Sequence, residues 1–331
     1  MYNSRSKNPE RTLLTPSCQH GGQGALGVPS SRRMVNFIEA KPLVALDGLR
    51  LDDDEVTPTL TLSLSSIHPG LDGCVLDGVL TAKECAHVVA TAERAGFSFW
   101  ASDGPSEENR RMRNADTLEF VGTDLCAQLW ARIAPFVTAR SAISADQARS
   151  ERDLEGEWAA AGLNEHLLIN KYAAGGHFAP HADGSTIETF NRRSLYTVLL
   201  YLNDCAAGGA TQILHGEQCE STESNAQGAA VARDEAVAYA VRPVAGRVLV
   251  YWHQTTHAGE TVGPGALKYC VRSDVMFERD PPRLTAPNDL RAFELYQQAR
   301  EMEAAGQPME AMMLFRQASK ASPGIKEAYR L

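Results

Sequence analysis

The stretch NKYAAGGHFAPHADG, residues 170–184, decides how this chain is read. Within it His181 and Asp183 stand two apart. Side chains at i and i+2 of a strand leave on the same face, so one short run of backbone can aim an imidazole and a carboxylate at a common point. A later stretch, VLVYWHQTTHAGETVGPGALKYCVRSDVMF at 248–277, brings a second histidine, His257, from a separate strand. Two neutral imidazoles and one carboxylate are the facial donor set of a ferrous ion, with half of the octahedron left open for other ligands. A zinc hydrolase would use the same residue types, but no H-E-x-x-H arrangement accompanies them. In a chain with nine histidines the H-x-D pair is a weak sign by itself. His253 and His177, each four residues before a candidate ligand, are the competing choices.

The surrounding periodicity places these residues in a β structure. From Glu165 the apolar period changes from 3.6 to 2. HLLINKY (166–172), SLYTVLLYLN (194–203), GRVLVYW (246–252) and KYCVRSDVMF (268–277) read as short strands separated by Gly, Pro and Asn. Many short strands with turn signals predict a sandwich or barrel. The triad narrows this to a double-stranded β-helix, a jelly roll whose open end holds the metal. The fold class expected is mainly β with supporting helices. Residues 215–240, polar and alanine-rich, read as a surface loop or small insertion, with a lid over the substrate as the sharper idea.

Upstream, CVLDGVL (74–80) reads as a strand, and Thr81 with Glu84 forms a capping box for a helix that runs to Ala95 and closes at Gly96. That helix puts Cys85, Val88, Val89 and Ala92 on one face. A second helix is predicted near 123–138, from Leu125, Leu129, Ile133 and Phe136. The domain division expected is a disordered tail at 1–35, a strand and helix support region at 36–160, the jelly roll at 161–282, and a helical hairpin at 288–331. Within 36–72, short apolar runs and the acidic residues 52–55 predict edge strands or an extended arm. In the hairpin, Pro308 starts the second helix, where proline is tolerated.

These segments resemble the 2-oxoglutarate- and Fe(II)-dependent dioxygenases of the prolyl 4-hydroxylase-like branch. Five pieces occur in the family's order: YAAGGHFAPHADG, RSLYTVLLYLND, GGATQI, RPVAGRVLVYWHQTTHAGETV and GALKYCVRSDVMF. Together they cover roughly residues 165–278, about a third of the chain. The resemblance implies iron held by His181, Asp183 and His257. The order H-A-G, then Val and a later Lys, favours His257 over His253. 2-Oxoglutarate is the implied cosubstrate, with ascorbate as reductant, and the implied reaction is hydroxylation of an unactivated C–H bond, a prolyl residue of a protein or a small molecule being the substrate. Lys268 resembles the basic residue that pairs the distal carboxylate, although the spacing GALK is one residue longer than the family's G-x-K. Arg272, on the same strand face, is the competing cation. Tyr172, Tyr201, Thr197 and Thr211 match inward positions near the cosubstrate. The C-terminal offsets of Ala299, Ala311, Phe315, Ala318 and Pro323 resemble one tetratricopeptide repeat. A single repeat leaves its apolar face uncovered, so it is expected to dock on the barrel or on a protein partner. A silent oxygenase-like scaffold that binds a partner through these helices is the alternative function.

Composition sets the remaining bounds. The 331 residues are 44% hydrophobic and 22% charged, an ordinary globular balance. A formal net charge of −9 disfavours nucleic acid as a partner. No apolar run is long enough to span a bilayer, so no membrane association is expected. Seven cysteines without a C-x-x-C pair read as free thiols of a reducing compartment. A cytoplasmic or nuclear location is expected, with the basic residues of the tail leaving an organellar transit peptide as the alternative.

Overall fold

Alternation decides which strands can face each other. The eight strands of the core are β1 (His166–Tyr172), β2 (His177–His181), β3 (Arg192–Tyr201), β4 (Thr211–Leu214), β5 (Val237–Val241), β6 (Val248–Trp252), β7 (His257–Gly259) and β8 (Lys268–Arg279). In the computed structural model they form two antiparallel sheets. The larger runs β1-β8-β3-β6 and the smaller β5-β4-β7-β2. This is the strand order of a double-stranded β-helix, so the chain is a mainly β jelly roll with supporting helices. The structure describes residues 44–45, 49–51, 56–101, 103–145, 152–216, 218 and 220–331. The tail expected at 1–35 and the acidic residues 52–55 lie outside them.

Flanking segments widen both sheets. Gly73–Asp77 pairs with β6, Thr59–Ser63 lies outside it, and Asp116–Val121 pairs with β1. Arg113–Asn114 adds a short edge to the smaller sheet beside β2. Within 215–240, expected as a surface loop or small insertion, only the last residues depart from that reading. Thr222–Ser224 and Ala230–Ala232 form a hairpin, and Val237–Val241 is the outer strand of the smaller sheet. Its sequence, VAYAV, alternates only between small and larger apolar groups, so the period-2 signal is faint. Tyr239 is 40% exposed, as suits an edge.

The large sheet's outer face is covered by helices. Helix α1 (Ala82–Ala95) begins at the capping box: the Glu84 N–H donates to Thr81 Oγ1 at 3.1 Å and the Thr81 N–H to Glu84 Oε2 at 2.8 Å. Glu84 is buried and receives Arg132 Nη2 at 2.8 Å from another helix, tying the two elements. After the short α2 (Glu107–Met112), α3 spans Thr123–Ile133 and passes into a 3₁₀ turn at Ala134–Phe136. It stops short of the predicted 138 because Pro135 lacks an N–H and its ring clashes with the preceding turn. Leu125, Leu129 and Ile133 bury against Leu118, Phe120 and Trp158 in one apolar layer. Each such side chain stabilises by about 1.5–3 kcal/mol on burial.

Three C-terminal helices follow: α4 (Pro287–Ala304), α5 (Pro308–Ala321) and α6 (Pro323–Tyr329). The last was not foreseen in the hairpin reading; the Ser322 hydroxyl accepts from the Ile325 N–H and starts it. These helices pack on the barrel through Phe190, whose ring meets Phe293 and Tyr329 edge-on at 6.3 Å. The Tyr329 hydroxyl donates to Asp153 at 3.0 Å.

One turn depends on glycine. Gly208 has φ +62, and a Cβ there would lie 2.1 Å from the Thr261 carbonyl oxygen. A left-handed conformation costs an L-residue roughly 1–2 kcal/mol before any clash. Gly208→Ala is therefore expected to destabilise the protein by more than that amount, measured as a lower urea midpoint at unchanged slope; an unchanged midpoint would refute this account of the turn.

Candidate metal centre

Strand pairing brings the two histidines together. His181 ends β2, His257 begins β7, and the two are directly opposite in the smaller sheet. Asp183 does not share the strand with His181, as the i, i+2 reading supposed. The strand ends at His181, and Asp183 is held by its own N–H, which donates to the His253 carbonyl at 3.0 Å. The turn at 253–256 thus sets the carboxylate as well as the second histidine.

Hydrogen bonds fix which ring nitrogens face inward. His181 Nδ1 donates to the Ala179 carbonyl at 2.8 Å and His257 Nδ1 to the Thr255 carbonyl at 2.9 Å. Each Nε2 therefore carries a lone pair. His181 Nε2 is 3.7 Å from Asp183 Oδ1, and His257 Nε2 is 3.6 Å from Oδ2. The donor atoms of all three lie within 4.8 Å of one another, and among the described residues no other cluster of metal-ligating type occurs. Adjacent donors on an octahedral ion at roughly 2.1 Å stand roughly 3 Å apart, so a small contraction completes the set. Burial and the neighbouring His257 lower the His181 pKa to about 3, which keeps the ring neutral. Three acceptors converge, both imidazoles buried and the carboxylate nearly so; Thr197 donates to the carboxylate, and the Tyr251 hydroxyl has a single proton for Asp183 or His257, at 2.8 and 2.9 Å. A divalent cation is what such a donor set lacks, and a ferrous ion fits it.

The carboxylate is held from behind. Burial raises its pKa, but Arg272, the two imidazoles and the Thr197 hydroxyl together outweigh it and hold Asp183 well below the usual carboxylate range. Thr197 Oγ1 donates to Asp183 Oδ2 at 2.7 Å. With that proton committed, Thr197 must accept from His253 Nδ1 at 2.8 Å, and His253 Nε2 accepts from Ser194 at 2.8 Å. Thr197, expected near the cosubstrate, thus supports the carboxylate, and His253 supports Thr197. His177 lies apart, with its ring nitrogens facing the carbonyls of Gly175 and Arg111 at 3.2 and 3.0 Å.

A cavity of about 520 Å³ opens beside the triad. Lys268, Cys270 and Arg272 line it from β8, Asn170 and Tyr172 from β1, and Thr211 from β4. Lys268 is 4% exposed, and burial lowers its pKa. Its ammonium lies 5.2 Å from the Tyr172 ring and 5.5 Å from the Tyr201 ring. The Tyr201 hydroxyl donates to Thr211 Oγ1 at 2.8 Å. Lys268 has no carboxylate at ion-pair distance among the described residues. Arg272, by contrast, is engaged: Nη2 is 3.0 Å from Asp274 Oδ1 and Nε is 3.8 Å from Asp183 Oδ1. The cluster therefore brings together every candidate residue, with Thr197 and Arg272 next to Asp183 and the two tyrosines next to Lys268.

The neutral buried histidines make the metal-free protein acid-sensitive. Burial also lowers the His253 pKa, to about 4, against about 6.5 for an unfolded histidine. The unfolded state therefore binds more protons below pH ~6.5. Stability is full above that value and falls as pH drops towards 4, by at most roughly 1.4 kcal/mol per pH unit for each histidine. Urea unfolding of chelated protein is expected to show this slope, and His253→Asn to reduce it; a flat profile would contradict the burial assignment.

Sequence reading missed Tyr251, Trp100, Phe178 and Arg113. For Tyr251 a signal was available: Leu249 and Tyr251 share the inward face of β6. The others come from a segment with no strand pattern of its own or from a face that alternation does not resolve.

Comparison with known proteins bears on the same segment. Residues 167–273 match the model of the 2OG-Fe(II) oxygenase superfamily. No curated protein matches the chain by sequence. Among solved structures, a viral collagen prolyl hydroxylase from Paramecium bursaria Chlorella virus-1, in complex with 2OG, is 16% identical at a TM-score of 0.35, covering 62% of this chain and 94% of that one. A Pseudomonas putida prolyl-4-hydroxylase is 15% identical at 0.37, covering 64% and 94%. A Trichoplax adhaerens prolyl hydroxylase, in complex with a hypoxia inducible factor peptide fragment, is 16% identical at 0.37, covering 63% and 84%.

Proposed function

We propose, with residues 167–273 belonging to the 2OG-Fe(II) oxygenase superfamily, that this protein is a 2-oxoglutarate-dependent dioxygenase that hydroxylates an unactivated C–H bond. The observation that carries the reading is the convergence of His181, Asp183 and His257 on one point at the wall of a cavity that also contains a lysine with no carboxylate partner among the described residues. When bound, iron and 2-oxoglutarate supply the oxidising chemistry: the keto acid goes to succinate and carbon dioxide, and the two atoms of dioxygen end in succinate and in the hydroxylated product.

The chain's own part is binding and orientation. His181, Asp183 and His257 would hold the ion, with the Nδ1 bonds to Ala179 and Thr255 fixing both rings. Thr197 and Tyr251 keep the carboxylate in place through hydrogen bonds to Oδ2. Lys268 would take the distal carboxylate of 2-oxoglutarate, with the Tyr201–Thr211 pair beside it. A buried unpaired ammonium is costly, and an anion at this place relieves that cost. Arg272 is the weaker candidate because Asp274 and Asp183 already compensate its charge. Tyr172 and Tyr201 wall the lysine from water.

The finer reading, hydroxylation of a prolyl group, draws on the resemblance of the five sequence segments alone. The test is stoichiometric. Protein supplied with Fe(II), ascorbate and 2-oxoglutarate is expected to release succinate, and a turned-over substrate to gain one oxygen atom, about 16 Da. Absence of succinate from protein that binds the metal would reject the enzyme reading and leave the scaffold.

A further inference from the structure

Three cations line the cavity: Lys268, Arg272 and Arg113. If Lys268 takes the cosubstrate carboxylate, and Arg272 is compensated by Asp274 and Asp183, one charge is left over. Arg113 is 9% exposed and has no carboxylate partner among the described residues. It comes from the Arg113–Asn114 edge, opposite Phe178 of β2. Its guanidinium carbon lies 4.6 Å from the Phe178 ring centre and 5.6 Å from that of Trp100. Stacking of this kind occupies the faces of the guanidinium and leaves its N–H donors pointing outward in the plane. One of them, on Nη2, donates to Asn170 Oδ1, and the guanidinium also hydrogen-bonds the Tyr172 hydroxyl. The Nε donor is buried and has no partner among the described residues. Asn170 in turn has an amide donor whose one protein partner is the Cys270 sulfur at 3.9 Å.

A buried cation with an unpaired Nε donor, beside an amide donor met only by a weak sulfur acceptor, is built for an anion. Planar bidentate geometry suits a carboxylate. The distance to the metal limits what carries it. Phe178 stacks on the His181 imidazole with ring centres 3.6 Å apart, so the guanidinium carbon, 4.6 Å from the same ring, is within about 8 Å of a metal-ligating ring. An acid group paired with Arg113 and a C–H presented to the metal are then only a few bonds apart.

The geometry points to a compact substrate with a free carboxylate, an amino acid or the last residue of a chain, held by Arg113 and Asn170 with its apolar body against Phe178 and Trp100. This rests on the proposed oxygenase function. An internal residue of a polypeptide other than Asp or Glu has no carboxylate at that distance and would leave Arg113 uncompensated.

Binding tests it without turnover. Full-length protein loaded with Mn(II) and 2-oxoglutarate is titrated calorimetrically with the twenty L-amino acids, each beside its amide, and with glycyl dipeptides bearing free or amidated C-termini. At least one acid is expected to bind at least about tenfold more tightly than its amide. The dipeptide arm distinguishes a free amino acid from a chain terminus. Arg113→Gln is expected to bring the acid down to the level of the amide while leaving 2-oxoglutarate affinity within about twofold. Equal binding of acid and amide, or no binding of any acid, overturns the inference. Failure to take up Mn(II) with 2-oxoglutarate overturns the oxygenase reading with it; uptake without acid discrimination overturns this inference alone. Should Arg113→Gln fail to fold, the acid-to-amide comparison on the unaltered protein still decides.

Discussion

Replacing His181 by alanine is expected to abolish metal-dependent turnover and to weaken Fe(II) or Mn(II) binding by at least about 100-fold, since changes to groups merely behind a metal ligand already cost roughly 10–100-fold. The imidazole cannot be replaced from nearby. His177 is turned towards the carbonyls of Arg111 and Gly175, and His253 is committed to Thr197 and Ser194. The variant should still fold. His181 contributes one hydrogen bond to Ala179 and one stack on Phe178, and its removal also takes away a group held neutral by burial. Metal titration and succinate release would be measured together, with the melting temperature as a control for folding. Full metal affinity in folded His181→Ala would remove the basis of the metal assignment.

Lys268→Ala is expected to raise the 2-oxoglutarate requirement by about two orders of magnitude. Removing one partner of a buried, hydrogen-bonded charge pair costs 2–5 kcal/mol, and every 1.4 kcal/mol is tenfold. The carboxylate would enter a chamber walled by Tyr172 and Tyr201 with no other ammonium among the described residues lining it. Arg272→Ala should behave differently, because that guanidinium neighbours Asp183 and Asp274. Its loss is expected to weaken metal binding more than 2-oxoglutarate binding. Titration of each variant with 2-oxoglutarate at saturating Mn(II) separates the two roles. A larger effect from Arg272→Ala than from Lys268→Ala would transfer the carboxylate to Arg272.

Much of the scaffold was legible because its signals are local. The capping box at Thr81 and Glu84 needs only four residues, and the alternation in β1, β3, β6 and β8 reports one buried face against another. The edge strand Val237–Val241 was not legible, since small residues on an exposed edge carry little contrast between faces. The end of α3 was misjudged by a few residues because the apolar period continued past Pro135, while the backbone did not.

The site divides along the same line. The grouping of His181, Asp183 and His257 could be read from spacing and neighbouring motifs, because metal coordination demands particular side chains. Their tautomers, the support of Asp183 by Thr197 and Tyr251, and the contrast between a paired Arg272 and an unpaired Lys268 could not. Those depend on which atoms meet across sheets, and Arg113 meets Phe178 only through strand pairing 65 positions apart in the chain. Sequence by itself determined the residue types and the strands that carry them, since propensity and periodicity act over a few neighbours. Tertiary structure alone decided which charges are compensated, because burial and pairing are properties of the closed barrel and not of any segment.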